Sequence, residues 1–567
     1  MKKSNKPLVK GKKDSETIES TPLSDTSASQ TEELMGKTFN TWKLVVLGLA
    51  FMAPGLSLLA TFNLVMTAGY TWMGIPLSYL IAGIAIIITS VSFAELVRVF
   101  PRSGSVWTFA NGAVGSKFGQ LSVWIYLLEI LVVPAAALIP AGFFMQSWLG
   151  VPPWITMIVF VAVVSLLAWG GTNLSVRSMA VLFAIQAGIL IAFAVSAIIW
   201  SINTGNFATQ AGLSLTPAGS LFGVAGIMVG ATVAVYSFLG YEAPASVSGE
   251  SQNPTRSVPW AIVISAVVAT GLYLLLAWAF VLAIPSIGLF SLLYYVNPVP
   301  AMGNAIWGSG LGNLLNLAGI IAGLIAALAA VTASSRVLQR LGEDRVAPQA
   351  LNRVDKRLAT PIVAVGLISV ITMILANFIP WEVIAYTIAT GALPAFIITN
   401  LLAFWHYRKD GFTARNIVLH GIIPWAGIFL CTWFIVFGIP IQLKWILMIW
   451  IILGALLVFV NQAFRPNIFK AVSAETKPAS TGRAWNRPIW SLVGIVISIG
   501  LLIVVSAAFS VWLAFYSTGL TWWHIIPPYA SGDLVAIIVT IIATVVFAVS
   551  TSILVFRDRL FKKKEAI

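Results

Sequence analysis

Glu95, Glu129 and Glu242 are carboxylates within or near long apolar stretches. Taking a carboxylate out of water is costly, so each one in an apolar stretch is a candidate for function. Glu129 follows Tyr126 by three residues, which sets both on one helix face. Such a face could pair with a cation or take up a proton. Glu242 stands between Phe238-Leu239-Gly240-Tyr241 and Ala243-Pro244. It could carry a proton, or equally settle the positive end of a half-helix starting after it. Glu95 lies close to Arg98 and Arg102 and reads as a structural ion-pair partner. A different chemistry resides in Ala53-Pro54-Gly55-Leu56-Ser57. Proline removes a backbone donor and glycine opens the dihedrals, so peptide groups are freed for a ligand. The N-terminus of the helix that follows would suit a carboxylate.

Other chemistries find little support. The single cysteine, Cys431, allows no intrachain disulfide, and no metal-ligand cluster, phosphate-binding glycine loop or nucleophile–base signature is legible. His406, His420 and His524 fall at span ends or in loops and read as surface residues. Neither an enzyme, a metal nor a cofactor is expected.

The elements that must position these groups are membrane helices. Of 567 residues, 59% are hydrophobic and 9% charged, too little charge to cover a soluble surface. The net charge of +14 would suggest nucleic acid in a soluble protein. Here the basic residues sit between apolar runs and at both tails, and no nucleic-acid partner is expected. Fourteen runs are long enough to cross a bilayer: 42–67, 73–97, 119–147, 153–171, 178–200, 221–249, 259–284, 311–340, 361–379, 382–405, 421–439, 443–462, 489–516 and 533–556. With the N-terminus in the cytoplasm, the internal segments hold Arg98, Arg102 and Lys117, then Arg177, Arg256, and the basic residues from Arg336 to Arg357. They also hold Arg408, Lys409 and Arg415, those from Arg465 to Arg487, and those from Arg557 to Lys564. The external segments hold one, Lys444, as the positive-inside rule demands. Both termini are therefore expected in the cytoplasm. The Lys- and Ser-rich residues 1–40 read as a disordered tail rather than a signal peptide.

The first and sixth spans are the abnormal ones, each interrupted by Gly and Pro. That spacing fits two inverted copies of a five-helix unit, with a binding site where the broken spans face each other. Kinks at proline are the plainer explanation for each break taken alone.

Longer motifs resemble the amino acid–polyamine–organocation transporter superfamily. The sixth span reads Tyr236-Ser237-Phe238-Leu239-Gly240-Tyr241-Glu242 and continues into Gly249-Glu250-Ser251-Gln252-Asn253-Pro254-Thr255-Arg256-Ser257-Val258-Pro259. Phe93-Ala94-Glu95-Leu96 with Phe100-Pro101-Arg102-Ser103-Gly104-Ser105 looks like the family's first internal loop. Ser334-Ser335-Arg336-Val337-Leu338, Glu343-Asp344-Arg345-Val346-Ala347-Pro348 and Thr360-Pro361 give a third match. The likeness covers about residues 40–460. It implies a leucine-transporter-type fold and alternating access. It also implies a substrate held by Ala53, Pro54, Gly55, Leu56 and Ser57, with Tyr126, Glu129, Phe238, Leu239, Gly240 and Tyr241 around it. Phe238 resembles the family's aromatic gate. Glu129 and Glu242 are the proton-coupling candidates, and Arg102, Glu250, Arg256 and Arg336 an inner gate. Thr387, Thr390 and Gly391 could touch substrate or simply pack. Ile325 and Ala326 stand where sodium-coupled relatives carry hydroxyls, and Gln186 where some proton-coupled relatives carry lysine. Those departures argue against sodium at that place and against a lysine-based proton site.

The expected protein is thus all-α and polytopic, with about fourteen transmembrane helices: an inverted five-helix repeat plus four more. Its parts are a tail (1–40), a transporter core (41–410), helices 11–12 (411–465), a cytoplasmic linker (466–488), and helices 13–14 with a basic C-terminus (489–567). The expected function is secondary active transport of amino acids, cationic ones among the candidates, or of related amines, by proton symport or exchange. Alternatives are a polyamine transporter or substrate/product antiporter of the same fold, or a transporter-like nutrient sensor. A channel would need a continuous polar pore that the spans lack. The partners expected are a small-molecule substrate and the lipid bilayer, with the oligomeric state left open.

Overall fold

The computed structural model describes residues 39–288, 298–355, 357–407, 413–439 and 441–464. Expected spans 489–516 and 533–556, the linker, the C-terminus, His524, Arg408 and Lys409 lie outside them, as does most of the 1–40 tail. Among the described residues, ten helical segments are long and apolar enough to cross a membrane, and two shorter apolar helices, Pro153–Trp169 and Ile362–Phe378, accompany them. Together they stand at the first twelve expected spans.

Span one is two helices, α1 (Thr41–Met52) and α2 (Pro54–Gly69). Asn40 caps α1, its side chain accepting from the Lys43 N–H at 2.9 Å. Ala53 separates the two in the left-handed region, at φ 42. Pro54 then opens α2, a place where a missing N–H costs nothing. Next come α3 (Ile75–Val99) and the short α4 (Val106–Ala113).

The third span is also divided, into α5 (Ser116–Ile130) and α6 (Val133–Leu149), a break the hydropathy pattern does not disclose. Its cause is Pro134, which has no N–H for the Ile130 carbonyl four residues earlier. That carbonyl is satisfied from another helix: the Ser334 hydroxyl donates to it at 2.7 Å.

The chain continues through α7 (Pro153–Trp169), α8 (Thr172–Asn203) and α9 (Phe207–Ser214) to the sixth span. There α10 (Gly223–Ala234) tightens into a 3₁₀ turn, Val235–Phe238. Leu239 is extended, Gly240 has φ +105, and helix resumes as α11 (Ala243–Ser246). After it come α12 (Pro254–Ala283), α13 (Pro298–Trp307), α14 (Ser309–Gly312) and α15 (Leu314–Glu343). A two-stranded hairpin, β1 (Val354–Asp355) and β2 (Thr360–Pro361), joins α15 to α16 (Ile362–Phe378). At its turn the Leu358 and Arg357 N–H groups donate to Asp355 and hold that carboxyl below its ordinary value. The remainder is α17 (Trp381–Tyr407), the short α18 (Ala414–Ile417), a π-helical turn (Val418–Ile422), α19 (Ile423–Gly438) and α20 (Ile441–Phe464).

Between helices in lipid there is little hydrophobic drive, so close packing of small residues carries association. A Cβ on Gly323 of α15 would fall 2.5 Å from the Ala141 side chain of α6. One on Gly83 of α3 would fall 2.4 Å from Thr270 of α12. The tightest approach is at the sixth-span break, where a Cβ on Gly240 would come within 1.9 Å of the Phe51 ring. The two breaks are therefore packed on each other, and Gly240 is required both by its φ and by Phe51. Gly240→Ala is expected to lose about 1–3 kcal/mol from this overpacking alone. Gly271→Ala on α12, where nothing lies within 4 Å, is the neutral control. Thermal unfolding of the two purified variants in detergent checks the contrast.

Candidate functional site

A breach in a buried helix leaves peptide groups that something must satisfy. Here one phenol serves both breaches. The Tyr273 hydroxyl of α12 reaches the Met52 carbonyl at 2.9 Å and also contacts the Ser237 carbonyl. Ser57 donates to the same Met52 carbonyl at 2.7 Å. Thr61 joins Tyr79 at 2.7 Å and Ser237 at 3.1 Å, so the hydroxyls of spans one, two and six form one network. Tyr79 and Tyr273 stack beneath it with ring centroids 5.4 Å apart.

Beside this network lies a cavity of about 80 Å³. The first span contributes Phe51, Met52, Ala53, Leu56, Ser57 and, a turn on, Thr61. The sixth contributes Tyr236, Ser237 and Leu239. The rest of the wall comes from Val133, Ala136, Ala137 and Pro140 of α6, Ala326 of α15, and Trp381, Ala385 and Ile388 of α17. Because α2 starts at Pro54 without a side-chain cap, the Gly55 and Leu56 N–H groups have no acceptor within the helix.

Of the expected substrate-binding residues, Ala53, Leu56, Ser57 and Leu239 are on this wall. Pro54 and Gly55 sit in the first turn of α2, where a Cβ on Gly55 would fall 2.3 Å from the Gln186 amide nitrogen. Phe238 is not on the wall. It is fully buried behind it, against Tyr79 and Tyr273, because the 3₁₀ turn rotates its side chain into the bundle. The sixth-span aromatic at the cavity is Tyr236, whose ring meets that of Tyr386 at 5.6 Å. Its place two residues upstream could not be chosen before the 3₁₀ turn was known. Thr387 and Thr390 donate to carbonyls of their own helix, at 2.6 and 2.7 Å. Gly391 packs on the Glu129 backbone.

Tyr126, Glu129, Tyr241 and Glu242 form a second, separate cluster, all buried and none on the cavity wall. Tyr126 donates to one Glu242 oxygen at 3.2 Å, and the Gly240 N–H donates to the other at 3.1 Å. Glu242 thus reaches back into the break rather than capping α11 with its side chain. The Glu129 carboxyl is close enough to interact with that of Glu242, while neither of its oxygens has a hydrogen-bond partner of normal geometry. Two adjacent carboxyl groups held this way can share and exchange a proton.

Of the four expected inner-gate residues, two meet. Arg336 donates to Glu250 at 2.8 Å, with both side chains buried. Arg102 and Arg256 are exposed and stand apart from that pair. The same end of the bundle is closed by Phe39. Its N–H donates to the Glu250 carbonyl at 3.1 Å and its carbonyl accepts from Gln252 at 2.9 Å. Phe39, inside the stretch assigned to the tail, is fully buried. Trp107 adds a bond to Asp344 at 2.6 Å, and Arg340 binds Asp344 and Glu343.

Glu95 pairs with Arg98 as expected, yet it has a further partner. His420 Nε2 lies 3.4 Å from Glu95, and the imidazole stacks on Tyr407 with centroids 3.8 Å apart. His420 is therefore not a surface residue: the π-helical turn carries it inward. Lys444, assigned to an external loop, lies within α20 and its buried ammonium donates to the Val436 carbonyl at 2.7 Å. Among the described residues no group of His, Cys, Asp and Glu could hold a metal ion.

Removing one partner of a buried ion pair leaves the other charge uncompensated. Glu250→Ala is expected to destabilise the protein by about 3–5 kcal/mol, with Glu250→Ala/Arg336→Met recovering most of it. Thermal melts of the single and double variants test the coupling.

A family model described as amino acid permease matches residues 44–443. The low-affinity putrescine importer PlaP of Escherichia coli is 26% identical over 409 residues, covering 69% of this chain and 86% of that protein. The branched-chain amino acid permease BcaP of Bacillus subtilis is 22% identical over 462 residues, covering 76% and 95%. The solved structure of MhsT in complex with L-phenylalanine aligns over 76% of this chain and 98% of its own, with 17% identity and a TM-score of 0.43. With the family match spanning most of the apolar helices, the chain is a multi-pass membrane protein and belongs to the amino acid permease family.

Proposed function

We propose that this protein is a secondary active transporter that moves an amino acid across the membrane by alternating access, with protons coupled through Glu129 and Glu242. The observation that carries the reading is a cavity shared by the two broken spans, whose carbonyl ends Tyr273 holds together. The N–H groups at the start of α2 and the positive end of that helix suit the substrate carboxylate. The carbonyl ends of α1 and of the 3₁₀ turn at Val235–Phe238 suit its ammonium. Spans one to five and six to ten form the inverted repeat in this account, and their relative rocking exposes the cavity to each side in turn.

The buried Glu250–Arg336 pair and the docked Phe39 form the inner gate. Basic loops cluster at that end, so it faces the cytoplasm, and both termini lie there. In this account the buried pair keeps that side closed. Opening it requires the ion pair to part or rotate, which makes the gate an expensive contact and a switch between two packings. Glu242 links the proton cluster to the cavity. Its carboxyl holds the Gly240 N–H, so a change in its charge acts on the backbone of the sixth-span break.

The test is uptake into proteoliposomes of a panel of labelled amino acids and amines, with and without an inward proton gradient. The gradient is expected to raise accumulation in the wild type, and Glu129→Gln and Glu242→Gln to remove that response. A wild type indifferent to the gradient would overturn the coupling. A solute that binds but never crosses would overturn transport and favour a sensor.

A further inference from the structure

Among the described side chains, the half of the cavity wall that comes from α6, α15 and α17 carries no charged group and no hydroxyl. Its side chains are Val133, Ala137, Pro140, Ala326, Ala385 and Ile388, with the Trp381 ring and Ala136 beside them. The four hydroxyl-bearing residues of the wall, Ser57, Thr61, Tyr236 and Ser237, all belong to the two broken spans. Apart from the Trp381 indole N–H, the polar side chains described on the wall are thus on the side where backbone groups are exposed. Among the described side chains, the carboxylates of Glu129 and Glu242 lie outside the wall, and Glu242 is held by Tyr126 and Gly240.

We infer that the solute is a neutral amino acid with an apolar side chain. Its charged backbone lies against the broken spans, and its side chain against the apolar half built by α6, α15 and α17. This rests on the transport reading above and narrows it. A lysine ammonium, an arginine guanidinium or the second amine of a diamine would enter that half without a counter-charge among the described side chains, which is a heavy penalty. An aliphatic or aromatic side chain would meet none and would replace water there favourably. The cationic option raised by Tyr126 and Glu129 fails on position, because neither reaches the cavity.

The experiment is uptake of labelled leucine, arginine and putrescine, each in separate proteoliposomes, with isoleucine, phenylalanine, lysine and putrescine as competitors of whichever label enters. Uptake of leucine, competed by isoleucine or phenylalanine but at least about 100-fold less well by lysine and putrescine, is the expected result. Arginine or putrescine entering as well as leucine would overturn the apolar assignment and leave transport intact. Entry of none of the three, with no binding in a thermal-shift assay, would overturn the transport reading and this one with it. Ala385→Glu adds a discriminating arm, since Ala385 is half-buried at the wall. It is expected to admit arginine as a competitor, whereas Ala385→Gln, of similar size and no charge, is not. Equal behaviour of the two variants towards arginine would contradict the assignment.

Discussion

A helix interrupted inside an apolar bundle has to find donors for its carbonyls, and water is not there to supply them. In this protein that constraint is met by the Tyr273 hydroxyl, shared between the Met52 and Ser237 carbonyls. The arrangement makes the two breaks one object. Gly240 against Phe51 brings their backbones together, and the serine and threonine hydroxyls around them complete the bonds. The cavity exists because those backbones are held open side by side rather than allowed to close into helix.

The same economy recurs wherever the chain departs from regular helix. Pro134 leaves the Ile130 carbonyl without its donor, and Ser334 of α15 provides one. Glu242 satisfies the Gly240 N–H and receives the Tyr126 hydroxyl. At the closed end, Arg336 and Glu250 are buried together, and Phe39 extends the pairing with main-chain bonds. Several polar groups inside are committed to another helix, so movement of one span would re-pair groups on its neighbours.

Much of this was legible in the sequence. Proline and glycine marked both breaks, and run lengths marked twelve of the spans to within a few residues. Motif likeness pointed to Glu250 and Arg336 among four gate residues. What the sequence did not disclose depended on rotation or long-range pairing. A 3₁₀ turn replaces a helical one before Leu239, so Tyr236 faces the cavity and Phe238 does not. A π-helical turn brings His420 onto Glu95. Pro134 was a visible signal for the break in the third span, obscured by an uninterrupted apolar run. Tyr126 and Glu129 do share a helix face, as their spacing indicates. That face turns toward Glu242 and away from the cavity, which only the tertiary fold decides.

The central claim is that the space between the two breaks is where the solute binds. The most direct measurement is the rate at which a small thiol reagent modifies Ser57→Cys in a Cys431→Ser background. Cys431 is the chain's single cysteine, and Ser57 lies on the cavity wall. The account predicts that a saturating transported amino acid slows modification at this position and leaves a cysteine on the lipid-facing surface of α8 unaffected. Modification of Ser57→Cys at the same rate with and without that amino acid would contradict it.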